Sequence, residues 1–219
     1  MATFIDSFLI VIFAMQNHTV TMKVLIVFTH PRFEKSLNQR LLVKQIPVSG
    51  EITFHDLYEH YPGFDIAMEA EQRLLTEHDV IIWQHPFYWY SAPALMKQWI
   101  DIVLDFGWAY GPGGTALTGK YALNVITAGG PRQAYSKEGY NRFAIRELIS
   151  PFDQTAALCR MTYLPPFVLH GTHRLSAEEG KSAASDYRFL LETLRSGDFP
   201  AEDMVKHVYM NDWIALQKY

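Results

Sequence analysis

Cysteine is nearly absent from this sequence: Cys159 stands alone among 219 residues. No internal disulfide can form, which suits a reducing compartment such as the cytoplasm. Basic charge is also short, with 19 Lys and Arg against 23 Asp and Glu and a formal charge of −4. No global positive field exists to gather phosphates, so nucleic acid is not an expected partner. Long apolar runs are missing too. Phe8 to Met15 is too short to span a bilayer, follows Asp6 rather than Lys or Arg, and leads into Gln16-Asn17-His18-Thr19, a poor cleavage site. Residues 1–21 are expected to be an upstream-start extension or flexible arm, with an interfacial or partner-binding segment as the alternative. With 49% hydrophobic and 19% charged residues, disorder and collagen are excluded and one sizeable core is expected.

What is present alternates strand and helix signals without a linker or repeat. Lys23 to Thr29 is an almost continuous apolar run, as in a parallel strand buried on both faces. Ile52 to Leu57, Val80 to Gln84, Leu123 to Thr127 and Phe167 to His170 complete five candidate strands. Helices are expected over Ser36 to Val43, Glu69 to Glu77, Pro93 to Leu104, Arg142 to Arg160 with a break at Pro151, and Ser176 to Arg195. This alternation predicts a doubly wound α/β domain over 22–198, a five-stranded parallel sheet with helices on both faces. A tail over 199–219 packs either on the domain or on a partner. Ligands of such sheets bind outside the carboxyl ends of the strands, so function is sought after Thr29, Gln84 and Thr127.

The first of these loops, His30 to Asn38, contains no glycine, hence neither a dinucleotide G-x-G-x-x-G nor a P-loop. His30, Ser36 and Asn38 could still supply donors to a phosphate beside helix amides, although a helix N-cap alone explains Ser36. The second loop, His85 to Pro93, sets Phe87, Tyr88, Trp89 and Tyr90 between prolines. As a unit it reads as a stiff wall for a flat ring system; for Phe87 or Tyr90 singly, filling a gap above the core is as good an explanation. The third, Thr127-Ala128-Gly129-Gly130-Pro131, exposes successive N–H donors and lets a ligand approach the backbone, as a plain turn also would. Gly107 to Gly114 adds Trp108 and Tyr110 on a glycine-rich stretch, either a lid or a long connection.

These motifs, with H-P near S-x-N, then H-P-x-x-W-Y-S-x-P-x-x-x-K-x-W-x-D and T-x-G-G, resemble the flavodoxin-like NAD(P)H:quinone oxidoreductase family. The resemblance spans about Met22 to Arg195. It is nearest to the ancillary proteins of bacterial glutathione-gated potassium efflux antiporters, through His55 to Pro62, Gly111 to Gly114, Cys159-Arg160-Met161 and Leu164-Pro165-Pro166. It implies FMN or FAD, NADH or NADPH as donor, two-electron reduction of a quinone, a homodimer, and a cytoplasmic protein that could sit peripherally at the membrane beside a potassium antiporter.

Carried over residue by residue, His30, Ser36 and Asn38 match phosphate-binding positions. Pro86, Phe87, Tyr88 and Trp89 match the segment along the flavin ring, and Thr127, Ala128, Gly129 and Gly130 match the loop at its pyrimidine end. Tyr135 matches a tyrosine that works with a histidine beside a flavin carbonyl; Trp89, Trp108, Tyr110 and Tyr135 match the substrate pocket, Trp108 and Tyr110 reaching the other subunit's site. The partner histidine is replaced here by Asn141, which cannot become cationic near neutral pH. The resemblance makes Tyr135, Gly129, Gly130 and Asn141 the catalytic set, with Arg132 or Arg142 as alternative charge partners. Regulation of an antiporter is the alternative role. A flavodoxin-type electron carrier is disfavoured by the missing Ser/Thr- and Gly-rich phosphate loop. No metal is expected: His55 with His60 and His170 with His173 lack a third clustered ligand and read as ordinary surface or loop histidines. Cys159, on an apolar stretch, reads as an inert core thiol.

Overall fold

In a computed structural model of the chain, residues 21–218 are described; the N-terminal extension therefore lies, except for Thr21, outside the described residues. β1 (Val24–Phe28) is buried throughout, because its neighbours on both sides are strands and both its faces carry helices. It is followed by α1 (Leu37–Val43), β2 (Ile52–Asp56), α2 (Leu57–His60), α3 (Met68–Thr76), β3 (Val80–Pro86), α4 (Ala94–Val103) and β4 (Tyr121–Thr127). Then come α5 (Ile145–Leu148), α6 (Ser150–Leu158), β5 (Thr162–Tyr163), β6 (Phe167–Leu169), α7 (Ala177–Ser196), α8 (Ala201–Met204) and α9 (Met210–Gln217).

The strands run parallel in the order β2-β1-β3-β4-β5, with β6 also paired to β4. The predicted fifth strand is thus β6, ending at Leu169, and β5 is an additional short strand beside it on β4. Pro165 and Pro166 lie between them and lack the N–H that a continuous ladder needs, so pairing stops after Ala122↔Tyr163 and resumes at Val125↔Phe167.

Alternation along each strand divides the core into two layers. Leu25, Val27, Ile81 and Trp83 face one layer with Leu75 of α3, Trp99 of α4 and Phe152 of α6. Val24, Ile26, Val80 and Ile82 face the other with Leu42 of α1 and Tyr187, Leu190 and Leu194 of α7. Met204, Met210, Trp213 and Ile214 are buried in that second layer, so the C-terminal segment packs on the domain.

Most boundaries shift by a residue or two, and two of the differences have a plain local cause. Strand β2 stops at Asp56 rather than Leu57, because the Asp56 carboxylate accepts from the Tyr58 backbone and caps α2. The helix predicted over Arg142 to Arg160 starts at Ile145 and breaks at Ile149; Pro151 belongs to the first turn of α6, where a missing N–H costs nothing.

Candidate active site

At the carboxyl ends of β1, β3 and β4 two adjoining cavities open. One, of about 470 Å³, is lined by His30, Arg32, Lys35, Ser36, Leu37, Asn38, Pro86, Phe87, Tyr88, Thr127, Gly129, Thr172 and His173. The other, of about 350 Å³, is lined by Phe87, Trp89, Tyr90, Gly129, Gly130, Tyr135, Asn141 and His173. Phe87, Gly129 and His173 belong to both.

The first cavity collects donors and positive charge. His30 is held below its usual pKa by burial, against the opposing pull of Glu34, and is neutral near pH 7. Its Nδ1 accepts from the Arg32 backbone at 3.1 Å, so the remaining proton sits on Nε2 as a donor. Ser36 caps α1 by accepting from the Gln39 N–H at 3.3 Å, which bears out the capping explanation, and it lines the cavity as well. The N–H groups of Leu37 and Asn38 have no partner among the described residues. Asn38 donates to the Thr172 carbonyl at 3.3 Å, tying α1 to the loop after β6.

The second cavity is aromatic. Trp89 and Tyr90 form the centre of a two-residue hairpin turn, with φ of 48° and 65°, closed by reciprocal bonds between Tyr88 and Ser91. Side chains seldom adopt successive left-handed conformations, and their use here costs stability. The turn holds Trp89 93% exposed, so gap-filling does not explain it. Phe87 is half-buried, packs on the core and on Tyr135 (ring centroids 5.7 Å apart), and so combines both roles considered for it. Tyr90 donates to the Asn141 side-chain oxygen at 3.3 Å. Burial raises the Tyr135 pKa, while a hydrogen bond with the Gly130 backbone acts in the opposite sense. The phenol is therefore protonated at neutral pH and available as a donor.

Side chains from other segments crowd both glycines. A Cβ at Gly129 would fall 2.4 Å from His173 Nε2, and one at Gly130 3.1 Å from the Tyr135 ring. The four expected catalytic residues line the second cavity together, and the expected cofactor-binding residues line one cavity or the other with a single exception. Ala128 is buried in the core; its N–H donates to Leu169 and its carbonyl accepts from Thr172, which leaves nothing for a ligand. Trp108 lies in a separate hollow against α3, with Arg73 and Glu77, and Tyr110 packs on Phe106; neither lines the two cavities of its own chain.

Arg32, Lys35, Thr172 and His173 also line the cavities and are not among the site residues expected from the sequence. Arg32 and Lys35 were detectable as two cations in a strand-end loop of an acidic chain. The histidine reading needs correction. His173 faces the site, and His55 is buried and hydrogen-bonded to Glu71 at 2.9 Å. His60 stacks on His55 with ring centroids 4.2 Å apart. Both ring nitrogens of His170 are buried without a partner among the described residues, and burial followed by Arg132 lowers its pKa to about 4. The surface reading fails for His55 and for the ring nitrogens of His170, which distant segments cover, and holds for His60 and His173, both exposed. Among the described residues no group of three or more metal-ligating side chains exists.

A sheet ordered 2-1-3-4-5 with its cavity where the strand order reverses defines the flavodoxin-like class. Residues 22–190 match the family described as having the flavodoxin-like fold, and the chain belongs to that family. It is 45% identical over 170 residues to the glutathione-regulated potassium-efflux system ancillary protein KefG of Erwinia tasmaniensis, covering 78% of this chain and 92% of that one. It is also similar to the general stress protein 14 of Treponema denticola solved with FMN (36% identity, TM-score 0.75, 78% and 99% covered). A third relative is an NADPH-quinone reductase from P. pentosaceus (34% identity, TM-score 0.72, 78% and 98% covered).

Proposed function

We propose that this protein is an FMN-dependent NAD(P)H:quinone oxidoreductase. The carrying observation is the pair of cavities sharing Phe87, Gly129 and His173, one rich in donors and cations, the other walled by aromatic rings. The residues fit FMN. The neutral His30, Arg32, Lys35 and the free Leu37 and Asn38 amides suit a phosphate, and the bare backbone at Gly129 suits an edge of a planar ring. The FMN-bound and NADPH-quinone reductase relatives support the same reading.

The chemistry FMN supplies when bound is hydride exchange, so that NAD(P)H, one proton and a quinone yield NAD(P)⁺ and a hydroquinone. Within this chain, Phe87, Trp89, Tyr90 and Tyr135 wall a slot that a nicotinamide and a quinone would occupy in turn. The Gly129 amide and the Tyr135 hydroxyl, itself held by the Gly130 backbone, would serve as donors toward developing negative charge. Asn141 donates without titrating, so no imidazolium is required at that position.

Stopped-flow spectroscopy tests this reading: NADH or NADPH should bleach the yellow protein and a quinone restore it. A flavin-loaded protein that stays oxidised with both donors overturns it. The similarity to KefG favours a second, compatible role as an ancillary subunit of a potassium-efflux system. Co-purification with the antiporter, and efflux measured with and without this chain, would test that role. Among the described residues no helix is long and apolar enough to cross a membrane.

A further inference from the structure

A chain of buried polar groups runs from α7 to the floor of the first cavity. The Tyr187 hydroxyl donates to Gln84 Oε1 at 2.6 Å, Gln84 Nε2 donates to Gln39 Oε1 at 2.9 Å, and Gln39 Nε2 donates to Thr127 Oγ1 at 3.1 Å. Tyr187, Gln84 and Gln39 are fully buried, and Thr127 is 7% exposed where it lines the cavity.

The direction of this chain is imposed at its far end. Among the described residues Tyr187 has no hydrogen-bond partner other than Gln84, so reversing the chain would strand a phenolic proton in the core, which is costly. With that proton committed to Gln84 Oε1, the Gln84 amide must turn its NH₂ toward Gln39, and the Gln39 amide must turn its NH₂ toward Thr127. The Thr127 oxygen is thereby occupied as an acceptor, and its own proton has only the cavity to go to.

We propose that Tyr187, Gln84 and Gln39 are positioning residues that make Thr127 an obligate hydrogen-bond donor into the site, selecting a ligand that presents an acceptor there, such as a carbonyl or unprotonated nitrogen of the oxidised flavin ring. This rests on the flavin reading above. The three residues touch no ligand; they act through Thr127.

The test is FMN titration of the flavin-stripped full-length chain, followed by flavin fluorescence, with thermal unfolding as a control. Thr127→Val should weaken FMN binding by about tenfold, the loss of one hydrogen bond, and Thr127→Ser should restore it. Tyr187→Phe, remote from the cavity, should weaken FMN binding severalfold in the native background and have no further effect in Thr127→Val, because the two act through one proton. Gln39→Leu serves in its place if Tyr187→Phe fails to fold. Thr127→Val binding like native protein, or effects of Tyr187→Phe that simply add to those of Thr127→Val, would overturn the proposal. Native protein that binds no FMN would instead overturn the flavin reading.

Discussion

Trp89 carries a local conflict between stability and use. Its left-handed backbone is strained and its ring is almost wholly in solvent, so folding gains little from it. Trp89→Gly is expected to stabilise the fold by about 1 kcal/mol in urea unfolding, while Trp89→Ala and Trp89→Gly both lower quinone turnover by tenfold or more. Loss of folding in either variant would return Trp89 to a structural role. A second residue-scale prediction concerns His85. Burial, against a hydrogen bond with Pro86, lowers its pKa from 6.5 to about 4, and His170 is lowered similarly. Between these values the unfolded chain binds protons that the folded chain refuses, so stability is full above about pH 6.5 and declines as pH falls toward 4. Thermal unfolding at half-unit pH steps should show a midpoint falling steadily below pH 6.5; a flat profile down to pH 4 would contradict it.

Helix α3 is anchored by one buried carboxylate. Glu71 accepts from His55 at 2.9 Å, from Trp99 Nε1 at 2.7 Å and from the Tyr61 hydroxyl at 2.5 Å, binding α3 to β2, α4 and the turn after α2. Burial alone would raise its pKa, but the three donors outweigh it and the net shift is downward. Glu71→Leu leaves all three donors unpaired and should cost about 3–5 kcal/mol in chemical denaturation, whereas Glu71→Gln, which keeps an acceptor, should cost clearly less. The elements themselves were legible to differing degrees. β1 announces itself by consecutive apolar residues and α4 by helical periodicity, since both signals are local. β5 is two residues long and exists only through its pairing with β4, so no pattern could mark it. The Glu71 cluster draws on residues 55, 61, 71 and 99, and only the assembled layers bring them together.

At the scale of the whole molecule, the site was legible where a loop follows a strand directly, as at His30, Phe87 and Gly129. It was not legible at His173, whose place depends on the close approach permitted by Gly129 across two different loops. Trp108 and Tyr110 are partly buried against the core of their own chain and line neither cavity, whereas the family resemblance has them reach the site of a second copy. On that resemblance we expect sedimentation equilibrium to give a dimer; a monomer with full quinone reductase turnover would remove any need for aromatics from a partner.

The chain has five tryptophans, of which Trp83, Trp99 and Trp213 are buried and Trp89 is open to water. Its solvent-facing indole makes a built-in optical reporter at the mouth of the cavities: it should dominate the red edge of the emission band and be the indole most accessible to a collisional quencher such as iodide. Loss of that quenching when a quinone analogue is added would report occupancy of the slot without any turnover.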